Sequence, residues 1–135
     1  MRRIFLDTCG VLALVNKRDA LHEHAVRINS QLLLEKVNFY ITDYILVEVG
    51  NALAKNKKLA ITTIDYLQNS DDIRFVKITN EILHQAIELY KKYTDKEWGL
   101  TDASSFVVMK KLKIEEAFTN DYHFKQYGFK ILLEK

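Results

Sequence analysis

The sequence contains no proline, a single cysteine and only four glycines among its 135 residues. The lone cysteine, Cys9, excludes an internal disulfide and is typical of a protein from a reducing compartment. No apolar run approaches the roughly 20 residues that a helix needs to cross a bilayer. The apolar residues before Asp7 are too few for the hydrophobic part of a secretory signal. We therefore expect a soluble, cytoplasmic protein with no membrane partner.

The charges are nearly balanced, with 20 basic and 18 acidic side chains and a formal net charge of +2. A dedicated nucleic-acid-binding protein usually has a larger basic excess, so the charge alone is weak support for a polyanionic partner. Hydrophobic residues make up 48% of the chain, enough for one compact core. At this length we expect residues 1–135 to form a single domain.

Short apolar runs alternate with amphipathic segments along the chain. Strands are predicted at residues 3–6, 38–41, 73–78, 116–119 and 129–133, and helices at 10–15, 20–35, 42–58, 61–67, 79–93 and 102–112. In the helix from residue 42, the cations of Lys55–Lys58 are expected to occupy the last turn. Strands that alternate with helices imply right-handed crossovers and a mainly parallel sheet. The predicted fold class is therefore α/β, with helices on both faces of the sheet.

Four acidic residues are predicted to meet at one edge of this sheet. Asp7 and Asp121 each follow a strand, so both should stand at the carboxyl edge, where such folds bind ligands. A crossover helix runs antiparallel to the strands, which returns Asp102, in its first turn, to the same edge. Glu48 lies in the second turn of the helix after the second strand, and so also belongs there.

The position of Glu48 indicates a metal. Its helical neighbours Ile45, Val49 and Ala52 form an apolar face, so its carboxylate is expected to project inward. An isolated buried charge must be paired, coordinated or neutralised, and no basic residue lies one helical turn away. Oxygen-only ligands suit Mg²⁺ or Mn²⁺ better than zinc. Thr8 and Thr119, which flank the acids, could orient carboxylates or waters.

Each acid also has an ordinary structural interpretation. Asp102 could be a favourable charge in the first turn of a helix. Asp121 could be a turn residue, and Asp7 could cap the helix that follows it. Glu48 could reach solvent from the edge of its helix. The metal hypothesis depends on all four acids lying at one edge, which is improbable by chance.

Other chemistries have little support in the sequence. The few glycines form no phosphate-binding loop. His22 and His24 are predicted on different sides of one helix, while His84 and His123 are isolated, so no catalytic triad or histidine metal site is indicated. A neighbouring carboxylate disfavours the thiolate of Cys9, which we interpret as a small packed residue. Lys17, Arg18, Lys110 and Lys111 are hypothesised to guide a nucleic-acid backbone.

Four sequence blocks carry a family resemblance. They read LDTCG at residues 6–10, VEVGN at 47–51, DKEWGLTDASSF at 95–106 and FTNDYHF at 118–124. In this order they resemble the PIN-domain ribonucleases, and among them the VapC-type toxins of toxin–antitoxin pairs. The resemblance spans almost the whole chain.

The resemblance implies an α/β/α sandwich that cleaves RNA with Mg²⁺ or Mn²⁺. The family's acidic residues fall on Asp7, Glu48, Asp102 and Asp121, and its hydroxyl beside the last acid falls on Thr119. A toxin of this kind implies a small antitoxin partner, whose tail would cover the acidic groove, and a homodimer.

Two other classes of function remain open at this point. The first is a non-catalytic PIN-like module that binds RNA or a protein. The second is a phosphoryl-transfer domain of the receiver or haloacid-dehalogenase type, which also has an aspartate after its first strand. The dehalogenase pattern needs a second aspartate where this chain has Cys9, and the receiver needs an acidic pair, so this class ranks last.

Overall fold

A computed structural model describes all residues, 1–135. Its strands are β1 (Arg3–Leu6), β2 (Asn38–Thr42), β3 (Ile73–Val76), β4 (Glu116–Phe118) and β5 (Lys130–Ile131). Its helices are α1 (Thr8–Val15), α2 (His22–Leu34), α3 (Asp43–Ala52), α4 (Lys57–Asn69), α5 (Asn80–Lys92), α6 (Leu100–Lys111) and α7 (Tyr122–Tyr127). The predicted α/β class is confirmed.

The five strands form one parallel sheet in the order β3-β2-β1-β4-β5. The connections through α1–α4 carry the chain from β1 to β2 and β3. The connection through α5 and α6 returns it to the other side of β1, and α7 continues in that direction. Because parallel crossovers are right-handed, the two directions place helices on opposite faces. Contacts among α1–α4, and separately among α5–α7, agree with this three-layer α/β/α sandwich.

The sheet supplies the centre of a single hydrophobic cluster. Ile4 and Phe5 of β1 and Ala117 of β4 are fully buried, as expected for strands covered on both faces. On the α5–α7 face, Trp98 packs edge-on against Phe106, with ring centroids 5.2 Å apart. The buried Trp98 ring therefore anchors the loop before α6.

Two differences between the predicted and the observed helices are the most consequential. The first concerns α3, which ends at Ala52, so the cations of Lys55–Lys58 are not in its last turn. Asn56 instead begins α4 by accepting a hydrogen bond from the Leu59 amide, at 3.2 Å. Ala52 is also exposed, and the buried side of α3 is formed by Ile45 and Val49.

The second concerns α7, a helix that the sequence prediction omitted. Asp121 caps its start by accepting a hydrogen bond from the His123 amide, at 2.9 Å. Gly128 ends it with φ of 115°, a left-handed conformation that glycine adopts without strain. None of the seven helices is long and apolar enough to cross a bilayer.

Candidate metal centre

The site lies where the direction of the sheet connections reverses. Successive strands run outward on one side from β1 to β3, and on the other side from β4 to β5. Such a switch point leaves a crevice beyond the carboxyl ends of the two central strands. Asp7 directly follows β1, and Thr119 and Asp121 follow β4. Pairing of Leu6 with Phe118 brings these two strand ends side by side.

Asp7 is the most deeply buried charged residue of the chain, with only 4% of its surface exposed. Thr119 donates a hydrogen bond to its Oδ2 atom, at 2.7 Å. The pKa of Asp7 is raised to about 7, chiefly by burial and also by the charges of Asp121 and Asp102, while the Thr119 hydrogen bond acts in the opposite direction. The Asp7 carboxylate is therefore unstable without a nearby cation.

Asp102 stands in the first turn of α6. The helix begins at Leu100, and the Asp102 Oδ2 atom accepts a hydrogen bond from the Gly99 amide, at 2.9 Å. This contact satisfies an N–H group that the helix itself leaves unpaired. Burial raises the pKa of Asp102, and the charges of Asp121 and Glu48 add to that effect. The Oδ1 atom accepts no hydrogen bond and remains available to a ligand.

Asp121 and His123 approach Asp102 from the start of α7. The His123 Nδ1 atom lies 3.3 Å from Asp102 Oδ2 and 3.2 Å from Asp121 Oδ1. One donor atom from each of the three residues lies within 4.8 Å of the others. His123 was predicted to be isolated, and this prediction is wrong. The signal that could have located it was Asp121 followed by Gly128, the cap residues of a short helix.

Glu48 occupies the α3 side of the crevice. The Thr8 hydroxyl, in the first turn of α1, donates a hydrogen bond to its Oε1 atom, at 2.6 Å. The side chain is partly exposed, so Glu48 is not the fully inward charge that the sequence predicted. Its charge nevertheless acts on Asp102, so it faces the other acids. Glu48 and Asp7 are not part of the tight group formed by Asp102, Asp121 and His123.

No lysine or arginine pairs with any of the four acids. His123 is the one basic side chain within 4 Å of them. Lys110 and Lys111 lie at the opposite end of α6 from Asp102, about 12 Å away at 1.5 Å per residue. Lys17 and Arg18 likewise follow the far end of α1. These cations are therefore not adjacent to the acids, and their role in guiding a nucleic-acid backbone stays a prediction.

Cys9 and a large apolar cleft take no part in this arrangement. Burial raises the pKa of the Cys9 thiol, and the nearby Asp7 charge contributes, in agreement with its interpretation as a packed residue. A cleft of about 440 Å³ opens between α1, α2 and α4, and ten of its 13 lining residues are hydrophobic. It contains none of the four acids, so the chemistry of the side chains, and not cleft size, identifies the site.

A family model for the PIN domain matches residues 4–130. The chain belongs to the PIN-domain family. Over 128 residues it is 30% identical to the 23S rRNA-specific endonuclease VapC20 of Mycobacterium tuberculosis, covering 93% of this chain and 95% of that protein. The nuclease class expected from the sequence blocks is thus supported by a similar protein of known activity.

Solved structures agree with the PIN fold. The crystal structure of M. tuberculosis VapC20, described as a sarcin-ricin loop cleaving toxin, superposes with a TM-score of 0.84 at 29% identity. That match covers 93% of this chain and 95% of the other. VapBC2 from Rickettsia felis, bound to a DNA fragment from its promoter, has a TM-score of 0.69 at 16% identity, with 96% of each chain covered. At that identity the likeness concerns the fold alone.

The acids of this PIN domain have the chemistry that a divalent cation requires. Asp7 carries a buried carboxyl whose ionised form lacks a positive partner. The His123 Nδ1 atom is shut off from water and makes no aligned hydrogen bond, although two carboxylate oxygens lie within 3.3 Å. Buried polar atoms in proteins are usually satisfied. A cation near Asp7 would stabilise its ionised form, and a cation beside Asp102 and Asp121 would give the His123 Nδ1 atom a partner.

Proposed function

We propose that this protein is a metal-dependent endoribonuclease of the VapC toxin type, which uses Asp7, Glu48, Asp102 and Asp121 with Mg²⁺ or Mn²⁺. The observation that carries the proposal is the set of acids around the β1–β4 switch point without a lysine or arginine partner. Clustered carboxylates repel one another unless a cation is bound or one of them is protonated.

Different residues of the protein position the carboxylates and the water of the proposed site. Asp7, held by Thr119, and Asp102, held by the Gly99 amide, present fixed carboxylates from two elements. Asp121 completes the set from β4. Glu48, held by Thr8, is placed to orient a water on the α3 side. A divalent cation at these carboxylates would supply an acidic water and neutralise charge on the phosphoryl oxygens.

RNA is the proposed substrate. The similar M. tuberculosis protein is named for cleavage of 23S rRNA, and at 30% identity this supports RNA as the substrate class. A structured ribosomal loop is the first substrate to test. A non-catalytic RNA- or protein-binding module is the outcome that absence of cleavage would favour.

The proposed partners are a small antitoxin and a second copy of this chain. Both follow from the resemblance to VapC-type toxins. Light scattering on the purified chain, alone and with the product of any neighbouring gene, would measure the masses of the homodimer and of the complex. A monomer that associates with neither would contradict this part of the proposal.

Mapping the 5′ ends of cellular RNA after induction tests the proposed function. Cells that express the wild-type chain are expected to accumulate ends at a defined RNA site. Cells that express Asp102→Asn, which retains the shape of the side chain but not its charge, should not. If the wild type shows no enrichment over the variant, the nuclease proposal fails.

A further inference from the structure

His123 is placed at the acidic crevice by the backbone of α7. Its amide donates to the Asp121 side chain at 2.9 Å, and the next residue, Phe124, is fully buried. Its ring is about one-third exposed, yet the Nδ1 atom is cut off from water. The fold thus places the Nδ1 atom inside the acidic crevice, while the rest of the ring is partly exposed.

The surroundings of Nδ1 favour coordination over hydrogen bonding. Two carboxylate oxygens lie at 3.3 Å and 3.2 Å, but neither makes an aligned hydrogen bond with the ring nitrogen. Both oxygens already accept a backbone N–H, from Gly99 and from His123 itself. Two donor atoms that each lie about 2.1 Å from one cation, at right angles, are about 3 Å apart. The observed separations fit neighbouring positions around a cation.

We propose that His123 Nδ1 is a donor to the divalent cation held by Asp102 and Asp121, and that it makes this centre favour Mn²⁺ over Mg²⁺. The inference rests on the proposed function, since it shares those two acids. It adds a nitrogen ligand to a centre that was predicted to have oxygen ligands alone. The neutral ring donates through Nδ1 and carries its proton on Nε2.

The preference follows from the chemistry of the donors. Mg²⁺ is a hard cation that takes oxygen ligands and loses its waters reluctantly. Imidazole nitrogen is typically a ligand of first-row transition metals, and of the two cations proposed here only Mn²⁺ belongs to that series. Exchange of the nitrogen for an oxygen in the same place should therefore weaken Mn²⁺ binding more than Mg²⁺ binding.

Pulsed electron paramagnetic resonance of Mn²⁺ bound to the purified full chain tests the ligand directly. A directly coordinated imidazole gives a nitrogen-14 coupling to the Mn²⁺ spin. The wild type is expected to show this coupling, and His123→Phe, which keeps a ring without a donor, is expected to lack it. Absence of the coupling in the wild type, or its persistence in His123→Phe, would overturn the inference.

Calorimetric affinities for Mn²⁺ and Mg²⁺ test the preference. Loss of even an outer partner of a metal ligand costs about 10- to 100-fold in affinity, so His123→Asn should lose at least about tenfold in Mn²⁺ affinity. Its Mg²⁺ affinity should change much less, because the amide offers an oxygen. His84→Asn is the control, since His84 is exposed on α5. An unchanged Mn²⁺-to-Mg²⁺ ratio in His123→Asn refutes the preference.

The proposed function and the proposed role of His123 are refuted by different results. If the wild type binds Mn²⁺ and cleaves RNA but shows no nitrogen coupling, the proposed function stands and the role of His123 is refuted. If the protein neither binds a divalent cation nor cleaves RNA, the proposed function itself fails.

Discussion

Asp7 shows how a site residue can oppose the stability of the fold that holds it. The side chain lies at the end of the central strand, where the core leaves 4% of it exposed. A carboxylate in that position loses its hydration, and Thr119 replaces only part of it. The fold therefore favours the protonated acid, whereas cation binding requires the ionised form.

This conflict predicts a pH dependence of stability in the metal-free protein. The folded pKa of Asp7, about 7, exceeds its unfolded value of about 4, so between these values the folded state binds more protons. Stability should be greatest at the acid end of this window and fall by up to about 1.4 kcal/mol per pH unit as pH rises through it. Denaturant unfolding in chelator between pH 5 and pH 8 measures this fall.

Asp7→Asn is the variant that isolates the effect. The amide oxygen can still accept from Thr119, and no charge is buried. We expect the stability of Asp7→Asn to depend less steeply on pH than that of wild type. The variant should then be more stable than wild type at pH 8 in chelator, and its RNA cleavage should be lost. Equal slopes for the two proteins would show that Asp7 is ionised without penalty.

Thr119 gives a second prediction at the residue scale. Its hydroxyl donates to Asp7 and accepts from the Asp121 amide, at 2.7 Å and 3.0 Å. A hydrogen bond to a charged group contributes about 1.5–3 kcal/mol, so Thr119→Val should reduce cation affinity by about tenfold or more. Thr119→Ser retains the hydroxyl and serves as the control. If calorimetry gives the same Mg²⁺ affinity for both variants, the hydroxyl does not position Asp7.

At the scale of elements, the site depends on a close approach between α1 and β4. A side-chain carbon added at Gly10 would overlap the main-chain oxygen and the ring of Phe118. Only glycine lets the helix pack this near the strand end. This packing keeps Asp7, just before α1, within reach of Thr119, just after β4. A residue with no chemistry of its own thus determines the geometry of the acids.

Gly10→Ala is expected to destabilise the protein although alanine is the better helix former. Forced overpacking costs about 1–3 kcal/mol, because the obstacle is backbone and cannot rotate away. Gly50→Ala in α3 is a matched control, since its new methyl meets only the tip of Ile64, at 3.3 Å. Gly50→Ala should leave the free energy of unfolding unchanged or raise it by up to about 1 kcal/mol. Urea titration measures the free energy of unfolding of each variant. A Gly10→Ala protein as stable as wild type would contradict the close packing.

Sequence alone located the buried strands better than the short helix α7. Burial on both faces made β1 and β2 visible as apolar runs, and Asp7 could be placed from the end of β1. The six residues of α7 are too few for a hydrophobic period to show, so His123 could not be placed. In the same way, the lysines after α3 matched a helix end until the Asn56 cap showed that a second helix begins there.

At the scale of the whole molecule, alternation of strands and helices was enough to predict the sheet and its layers. Parallel strands have their carboxyl ends at one edge of the sheet, so four acids distant in sequence could be assigned to that edge. Contacts among individual side chains could not be predicted from the sequence pattern. That Thr8 binds Glu48, or that Asp102 reaches back to Gly99, depends on rotamers that no periodicity encodes.

The distribution of charge also becomes clear only at this scale. The acids lie at the β1–β4 crevice, while Lys110 and Lys111 stand at the opposite end of α6. Lys111 is 3.7 Å from Glu81, and Lys110 lies over the Tyr127 ring. No lysine or arginine lies within 4 Å of the acids, so under the proposed function a divalent cation would be the counter-charge nearest to a bound polyanion.

RNA cleavage by the purified chain, with and without divalent cations, tests the central claim most directly. We expect RNA cleavage in Mg²⁺ or Mn²⁺, loss of cleavage in excess EDTA, and recovery of cleavage when the cation is restored. Asp102→Asn, purified in parallel, should be inactive under all three conditions, which excludes a contaminating nuclease. Cleavage that persists in EDTA, or that survives unchanged in both Asp7→Asn and Asp102→Asn, would contradict the account.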